Sequence, residues 1–183
     1  MQPADEQQLL RRAREGSEDA FRLLVRRTMR QAYNIAYGWT QDHDQAEDIA
    51  QEAYVRAYGG LRSFRGEAGF ATWLYRIVTN LCLTRLGQER KRAEREVRSV
   101  VETCSAETSW QGDWETRRLV EMAVRELPAL QRAAVMLRHM EGMSTRQVST
   151  ILACSEGTVK THLFRGMKKL RKKLRYLECE AAG

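Results

Sequence analysis

The chain has 183 residues and 21.2 kDa, is 43% hydrophobic and 30% charged, and carries a formal net charge of +7 with only two prolines. That length admits one or two small domains and excludes a large enzyme. Few prolines and twelve glycines leave little material for the turns of a sandwich or barrel, so the Leu-, Ala- and Arg-rich stretches predict an all-α chain.

Residues 5–37 read as helices with a break at Gly16-Ser17. Ser17 can cap the second of them, and Ala20, Phe21, Leu24 and Val25 give it helical spacing. A further break is expected around Gly38–Asp42. The next helix runs from about Asp44 to Tyr58 and ends at Gly59-Gly60. On it Ala46, Ile49, Ala50, Ala53 and Ala57 share one face, while Asp44, Glu47, Asp48, Gln51 and Glu52 lie on the other. An exposed Val55 amid these acids suits a basic protein partner better than DNA, although a plain solvated face has the same pattern.

The loop Leu61–Gly69 leads into a helix from about Phe70 to Leu86. Phe70, Trp73, Leu74, Ile77, Val78 and Leu81 are expected to face inward, and Thr72, Arg76, Thr79 and Asn80 outward. An aromatic ring, a cation and an amide on one edge can stack on an unpaired base and hold a phosphate. A tryptophan at such a position is also ordinary core material.

Residues 87–112 are polar with mixed charges and no apolar period, and read as a linker with some helical character. Trp110 and Trp114 are unusual there, and at least one should dock on a domain. From about Asp113 the helical stripe resumes with Leu119, Val120, Ala123, Val124 and Leu127, and Pro128 opens another helix. The expected organisation is a helical domain over 1–86, a linker over 87–112 and a second helical domain over 113–183.

The basic charge is concentrated in that second part: residues 1–115 carry a net −1 and residues 116–183 a net +8. Ser144-Thr145-Arg146-Gln147 is a capping box opening a short helix with Val148, Ile151 and Leu152 on its apolar side. Ser155 can cap the next helix, whose stripe is Val159, Leu163, Met167, Leu170, Leu174 and Leu177. Two helices joined by a tight turn, the second basic on its outer side, describe a helix-turn-helix. Lys160, Thr161, Phe164 and Arg165 are types that reach base edges and phosphates. Lys168, Lys169, Arg171, Lys172 and Lys173 follow, suited to neutralising the DNA backbone. The alternative is a helical hairpin with a solvated basic face.

Cys82, Cys104, Cys154 and Cys179 form no CxxC pair, and His43, His139 and His162 are scattered, so free thiols and no metal site are expected. Cys82 and Cys154 sit in apolar contexts as small core residues. No apolar run approaches the ~18 residues of a membrane span, and the N-terminus lacks the apolar stretch of a secretory signal, so a cytoplasmic protein is expected. No carboxylate–histidine cluster, phosphate-cradling glycine loop or HxE with CxxC is present, which argues against an enzyme and leaves no cofactor or small-molecule substrate to propose.

The stretch DQAEDIAQEAYVRAYGGLRSFRGEAGFATWLYRIVTN, the polar linker, and then LPALQRAAVMLRHMEGMSTRQVSTILACSEGTVKTHLFRGMKKLRKKL closely resemble bacterial sigma factors of the extracytoplasmic-function (ECF) group in the sigma-70 family. The resemblance covers about residues 8–176. It implies two helical domains, region 2 and region 4, with the linker threading toward the polymerase active-site and RNA-exit channels. It further implies a subunit that binds core RNA polymerase, through the β′ coiled coil and the β subunit, and directs initiation at promoter DNA. Asp44, Asp48, Gln51 and Glu52 match the surface that docks on the β′ coiled coil. The loop Ser63–Ala68, with Ser63, Phe64, Arg65 and Gly66, matches the segment that captures a flipped base of the −10 element. Trp73, Arg76 and Asn80 match the helix beside the melted strand. Lys160, Thr161, Phe164 and Arg165 match the −35 recognition helix, with Lys168, Lys169 and Lys172 alongside. Leu83-Thr84 depart from the polar residues, often Asp, that many members place after the melting helix. The resemblance also implies an anti-sigma factor as partner, for which a membrane anchor is one option. The competing reading, a stand-alone helix-turn-helix regulator with a sensing or dimerising N-terminal half, leaves the acidic helix and the aromatic helix without a purpose.

Overall fold

A computed structural model describes residues 3–66, 68–96 and 113–181. Its elements are α1 (Pro3–Arg14), α2 (Glu18–Thr40), α3 (His43–Gly60), a 3₁₀ turn (Leu61–Ser63), α4 (Phe70–Glu96), α5 (Asp113–Arg125), α6 (Ala129–Val135) continued by a π-helical segment (Met136–Met140), α7 (Thr145–Leu152) and α8 (Glu156–Ala181). No strand occurs among the described residues. Side chains of residues 89–96, 113–118 and 176–181 lie outside the described set, as do residues 97–112. The expectations for Trp110, Trp114, Cys104, Cys179 and Leu177 therefore fall outside it.

The first four helices pack around α2, which touches α1, α3 and α4. Ser17 caps α2, its hydroxyl accepting from the Ala20 N–H at 3.4 Å. Leu24, Ile35, Ala36, Ile49, Leu74 and Val78 are buried together. Alanines at 46, 50, 53 and 57 let α3 approach closely while keeping its other side polar. In the C-terminal part α8 packs against α5, α6 and α7.

The break expected around Gly38–Asp42 falls at Gln41-Asp42: α2 runs to Thr40 and is capped by Gln41 in the left-handed region, φ 55°. Gly38 lies in the last turn of α2 and permits a close approach, because a Cβ there would lie 2.4 Å from the Met136 methyl. α3 ends at Gly60, as the Gly59-Gly60 pair implies; the chain then tightens into the 3₁₀ turn, and a Cβ on Gly60 would press on the Trp73 ring at 3.3 Å. Finally, α4 continues to Glu96, ten residues into the segment expected to be linker. Thr79, expected outward, is fully buried. The reason is that α4 is packed by α2, α3 and also α7, so its buried arc is wider than a periodicity for one neighbour suggests.

That contact between α4 and α7 joins the two parts of the chain. A second joint, between α6 and the end of α2, is anchored by Arg132, 2% exposed. Its Nη2 donates to the carbonyls of Gly38 and Trp39, both at 2.8 Å, and its guanidinium lies over the Trp39 ring at 4.6 Å. These carbonyls belong to the last turn of α2, where a cation also meets the negative end of the helix dipole. Nearby, Gln31 donates to the Glu141 carbonyl at 3.2 Å. We expect Arg132→Ala to orphan the two carbonyls at a cost of about 2 kcal/mol, lowering the melting temperature by about 5 °C. Calorimetry checks this, and an unchanged melting temperature would show that the contact contributes nothing.

Candidate functional site

Asp42 opens α3 by accepting the Gln45 N–H at 2.9 Å. This cap fixes the helix direction and leaves Asp44, Asp48 and Gln51 exposed on one side, opposite the buried alanines. Glu52 is placed differently. Its carboxylate accepts from Arg56 at 2.6 Å and from Arg85 of α4 at 3.2 Å. Partial desolvation pushes its pKa up, but the hydrogen bonds from Arg85 and Arg56 outweigh this and hold it below the ordinary carboxylate value. Glu52 thus ties α3 to α4 and is 37% exposed at its side chain. Val55 is 72% exposed, as its setting among the acids suggested. Beside the start of α3, Tyr33, Tyr37 and His43 stack into an aromatic ledge, with Tyr33 and His43 hydrogen-bonded at 2.5 Å. The sequence reading missed this ledge; the Tyr33–Tyr37 spacing of one helical turn was the available signal.

The second surface is the loop before α4 and the exposed edge of that helix. Arg65, Gly66, Arg76 and Asn80 are exposed, and Trp73 is half-buried. Phe64 does not project into solvent. It is buried and stacks on Trp73, with ring centroids 4.7 Å apart. A buried aromatic gains more from packing than an exposed one, so Phe64 backs Trp73 and fixes its plane. Ser63 is exposed, its hydroxyl donating to the Gly60 carbonyl at 2.8 Å. Gly66 has φ +76°, a conformation that allows the sharp loop bend. Loop and helix edge enclose a cleft of about 400 Å³ that also reaches Thr150 of α7.

The third surface is α7 and α8. Ser144 and Gln147 form the reciprocal capping box, the Gln147 N–H donating to Ser144 Oγ at 3.2 Å and the Ser144 N–H to Gln147 Oε1 at 2.9 Å. The turn passes through Ala153 at φ 51°, and Ser155 caps α8 by accepting the Thr158 N–H at 3.0 Å. Val159 and Leu170 are buried, which turns Lys160, Thr161, Phe164, Arg165, Lys168, Lys169 and Lys172 outward, all exposed. Phe164 is 71% exposed, an extreme value for a phenylalanine in a folded chain. Lys173, expected with the backbone-neutralising cations, instead ion-pairs with Glu126 and braces α8 against the end of α5.

Cys82 is buried, which pushes its thiol pKa up to about 12; Cys154 is partly buried, and both are free. Among the described residues no group of three His, Cys, Asp or Glu side chains could hold a metal ion. No helix there is long and apolar enough to cross a membrane.

Comparison with known families assigns the two halves. Sigma-70 region 2 matches residues 24–92, and sigma-70 region 4 matches residues 117–170. These define a two-domain helical transcription initiation factor, a class without catalytic chemistry of its own. The chain is 32% identical to the RNA polymerase sigma-H factor of Pseudomonas aeruginosa, across 96% of this chain and 97% of that one. It is 31% identical to the ECF RNA polymerase sigma-E factor of Escherichia coli, across 94% and 95%. The chain belongs to the ECF group of sigma-70 family RNA polymerase sigma factors. Its fold is shared with CnrH, solved in complex with the cytosolic domain of CnrY, at TM-score 0.71 and 23% identity over 94% of this chain and 98% of that one. It is shared also with the sigma factor RpoE of Bartonella quintana, solved with the anti-sigma factor NepR, at TM-score 0.68 and 22% identity over 85% and 96%.

Proposed function

We propose that this sigma factor divides its work among the three surfaces, within domains spanning 1–86 and 113–183. Asp44, Asp48 and Gln51 dock on the β′ coiled coil of core polymerase, with Glu52 holding the helix that presents them. The second domain contacts the β subunit. Ser63, Arg65, Gly66, Trp73, Arg76 and Asn80 hold the unpaired strand of the −10 element, with Phe64 supporting the Trp73 ring from behind. Lys160, Thr161, Phe164 and Arg165 read the −35 element in the major groove, and Lys168, Lys169 and Lys172 neutralise its phosphates. An anti-sigma factor, as accompanies the Bartonella quintana RpoE, would restrain the chain in the cytoplasm by covering these surfaces.

The observation that carries this reading is the cleft formed by Arg65, Trp73 and Arg76, where an aromatic plane is flanked by cations. A flipped base can stack on that plane while its phosphates meet the guanidiniums. The test is transcription by the reconstituted holoenzyme from a duplex promoter and from the same promoter with a pre-melted −10 bubble. Asn80→Ala should lose roughly tenfold on the duplex and much less on the bubble, because a lost contact to the unpaired strand costs on the order of 1–3 kcal/mol at the melting step. Equal loss on both templates would refute the melting role.

A further inference from the structure

We propose that α1 belongs to the −10-reading device and that Glu6 is its positioning residue, holding the loop before α4 in the shape that receives an unpaired base. The inference rests on the −10 reading of that loop. It concerns a helix outside the region 2 match, which begins at residue 24.

α4 starts at Phe70, and the residue before it, Gly69, has no side chain with which to cap the helix. The cap comes from α1 instead. Glu6 Oε1 accepts the Phe70 N–H at 2.7 Å, across 64 positions of sequence. Gly69 eases the approach, since a Cβ there would crowd the same oxygen at 3.3 Å. A carboxylate at a helix N-terminus satisfies an otherwise orphaned N–H and is favoured by the helix dipole. The other end of the loop is held from the same helix: Arg14 Nη2 donates to the Arg62 carbonyl at 3.4 Å. α1 is a firm support for both contacts. Leu9 and Ala13 are buried in the core, and Asp5 pairs with Arg27 of α2 at 2.9 Å.

Between these two anchors Phe64 is held by its stack on Trp73, while Arg65 and Gly66 are exposed, so their placement depends on Phe64 on one side and on the junction with α4 at Phe70 on the other. A loop held in its binding shape loses less conformational entropy when it closes on a base. Glu6 itself need not touch DNA. It acts through the Phe70 N–H, on the first turn of the helix that carries Trp73.

The experiment compares holoenzymes containing Glu6→Ala, Glu6→Gln and Asn80→Ala on the duplex promoter and on the pre-melted one. Glutamine keeps an oxygen that can accept the Phe70 N–H. Glu6→Ala is expected to lose about fivefold on the duplex, the effect of one lost cap, and to recover on the bubble template. Glu6→Gln is expected to retain most of the duplex activity. General loss of folded protein lowers both templates alike and gives no such split. If Asn80→Ala shows the split and Glu6→Ala does not, the role of Glu6 is overturned while the −10 reading stands. If Glu6→Gln is no better than Glu6→Ala, the cap is not the cause and the proposal fails. If no variant shows a split, the −10 reading and the role of Glu6 fall together.

Discussion

Asp44→Arg combined with Asp48→Arg should abolish co-purification with core RNA polymerase while leaving the helical fold intact. Both carboxylates are exposed, on the side of α3 away from Ala46, Ile49 and Ala53. Reversing a charge at a complementary interface replaces attraction with repulsion, at a cost of about several kcal/mol for two positions. Asp44 also lies in the first turn of α3, so its reversal opposes the helix dipole by about 0.3–1 kcal/mol, small beside the stability of a domain. Glu52 is the wrong residue for this experiment. Glu52→Arg would remove the bridge to Arg56 and Arg85 and set three guanidiniums together, mixing a folding defect with a binding defect. Affinity capture of core by the tagged double variant, beside its thermal unfolding curve, makes the measurement. Undiminished capture by a folded variant would remove α3 from the polymerase interface.

Arg165→Ala and Lys172→Ala should separate base reading from charge neutralisation on α8. Arg165 stands one turn after Thr161 near the capped start of the helix, beside the exposed Phe164 ring. Lys172 lies two turns further along the exposed side, in the cleft that Phe164, Lys168 and Arg175 also line. A guanidinium that binds a guanine edge contributes about 1–3 kcal/mol of discrimination, so Arg165→Ala should weaken promoter duplex more than scrambled duplex. Lys172→Ala should weaken both alike and lower the slope of log affinity against log salt by about one unit. Holoenzyme titrations with both duplexes at several salt concentrations give the answer. Equal weakening of both duplexes by Arg165→Ala would make it a phosphate contact, and no effect from either change would leave the basic run as a solvated face.

What was legible in the sequence was what neighbouring residues dictate to one another. The capping box at Ser144, the caps at Ser17 and Ser155, the alanine face of α3 and the outward set on α8 all follow from spacing within one helix, and each is present. What escaped depended on partners distant in sequence. Glycines at 38 and 60 mark the ends of α2 and α3, but their small size also serves Met136 and Trp73, which no local pattern announces. Thr79 was assigned to solvent because a single buried face was assumed for α4, whereas α7 covers it from another side. Glu52 shares the polar face of Asp48, and only Arg85, 33 positions on, draws it away. Phe64 was read as a loop aromatic and is a buried one, because Trp73 offers it a ring. Arg132 gave no signal at all: its spacing suits a solvated position, and its carbonyl partners lie more than 90 residues earlier.

The Arg132 contact carries a consequence for distance. Promoter elements named by positions −10 and −35 are about 25 base pairs apart, or about 85 Å along straight DNA at 3.4 Å per pair. A 183-residue chain folded into one body has a radius of gyration of only about 16 Å. With Arg132 seated on the end of α2, the cleft at Trp73 adjoins Thr150 of the helix-turn-helix, so the two surfaces proposed to read those elements lie far closer together than the elements do. On the proposed assignment of surfaces, the conformer that spans a promoter is one in which Arg132 has left Gly38 and Trp39. The free energy of that departure is a tax on promoter affinity, levied in proportion to how rarely the open form is populated, and a partner that holds the halves apart relieves it.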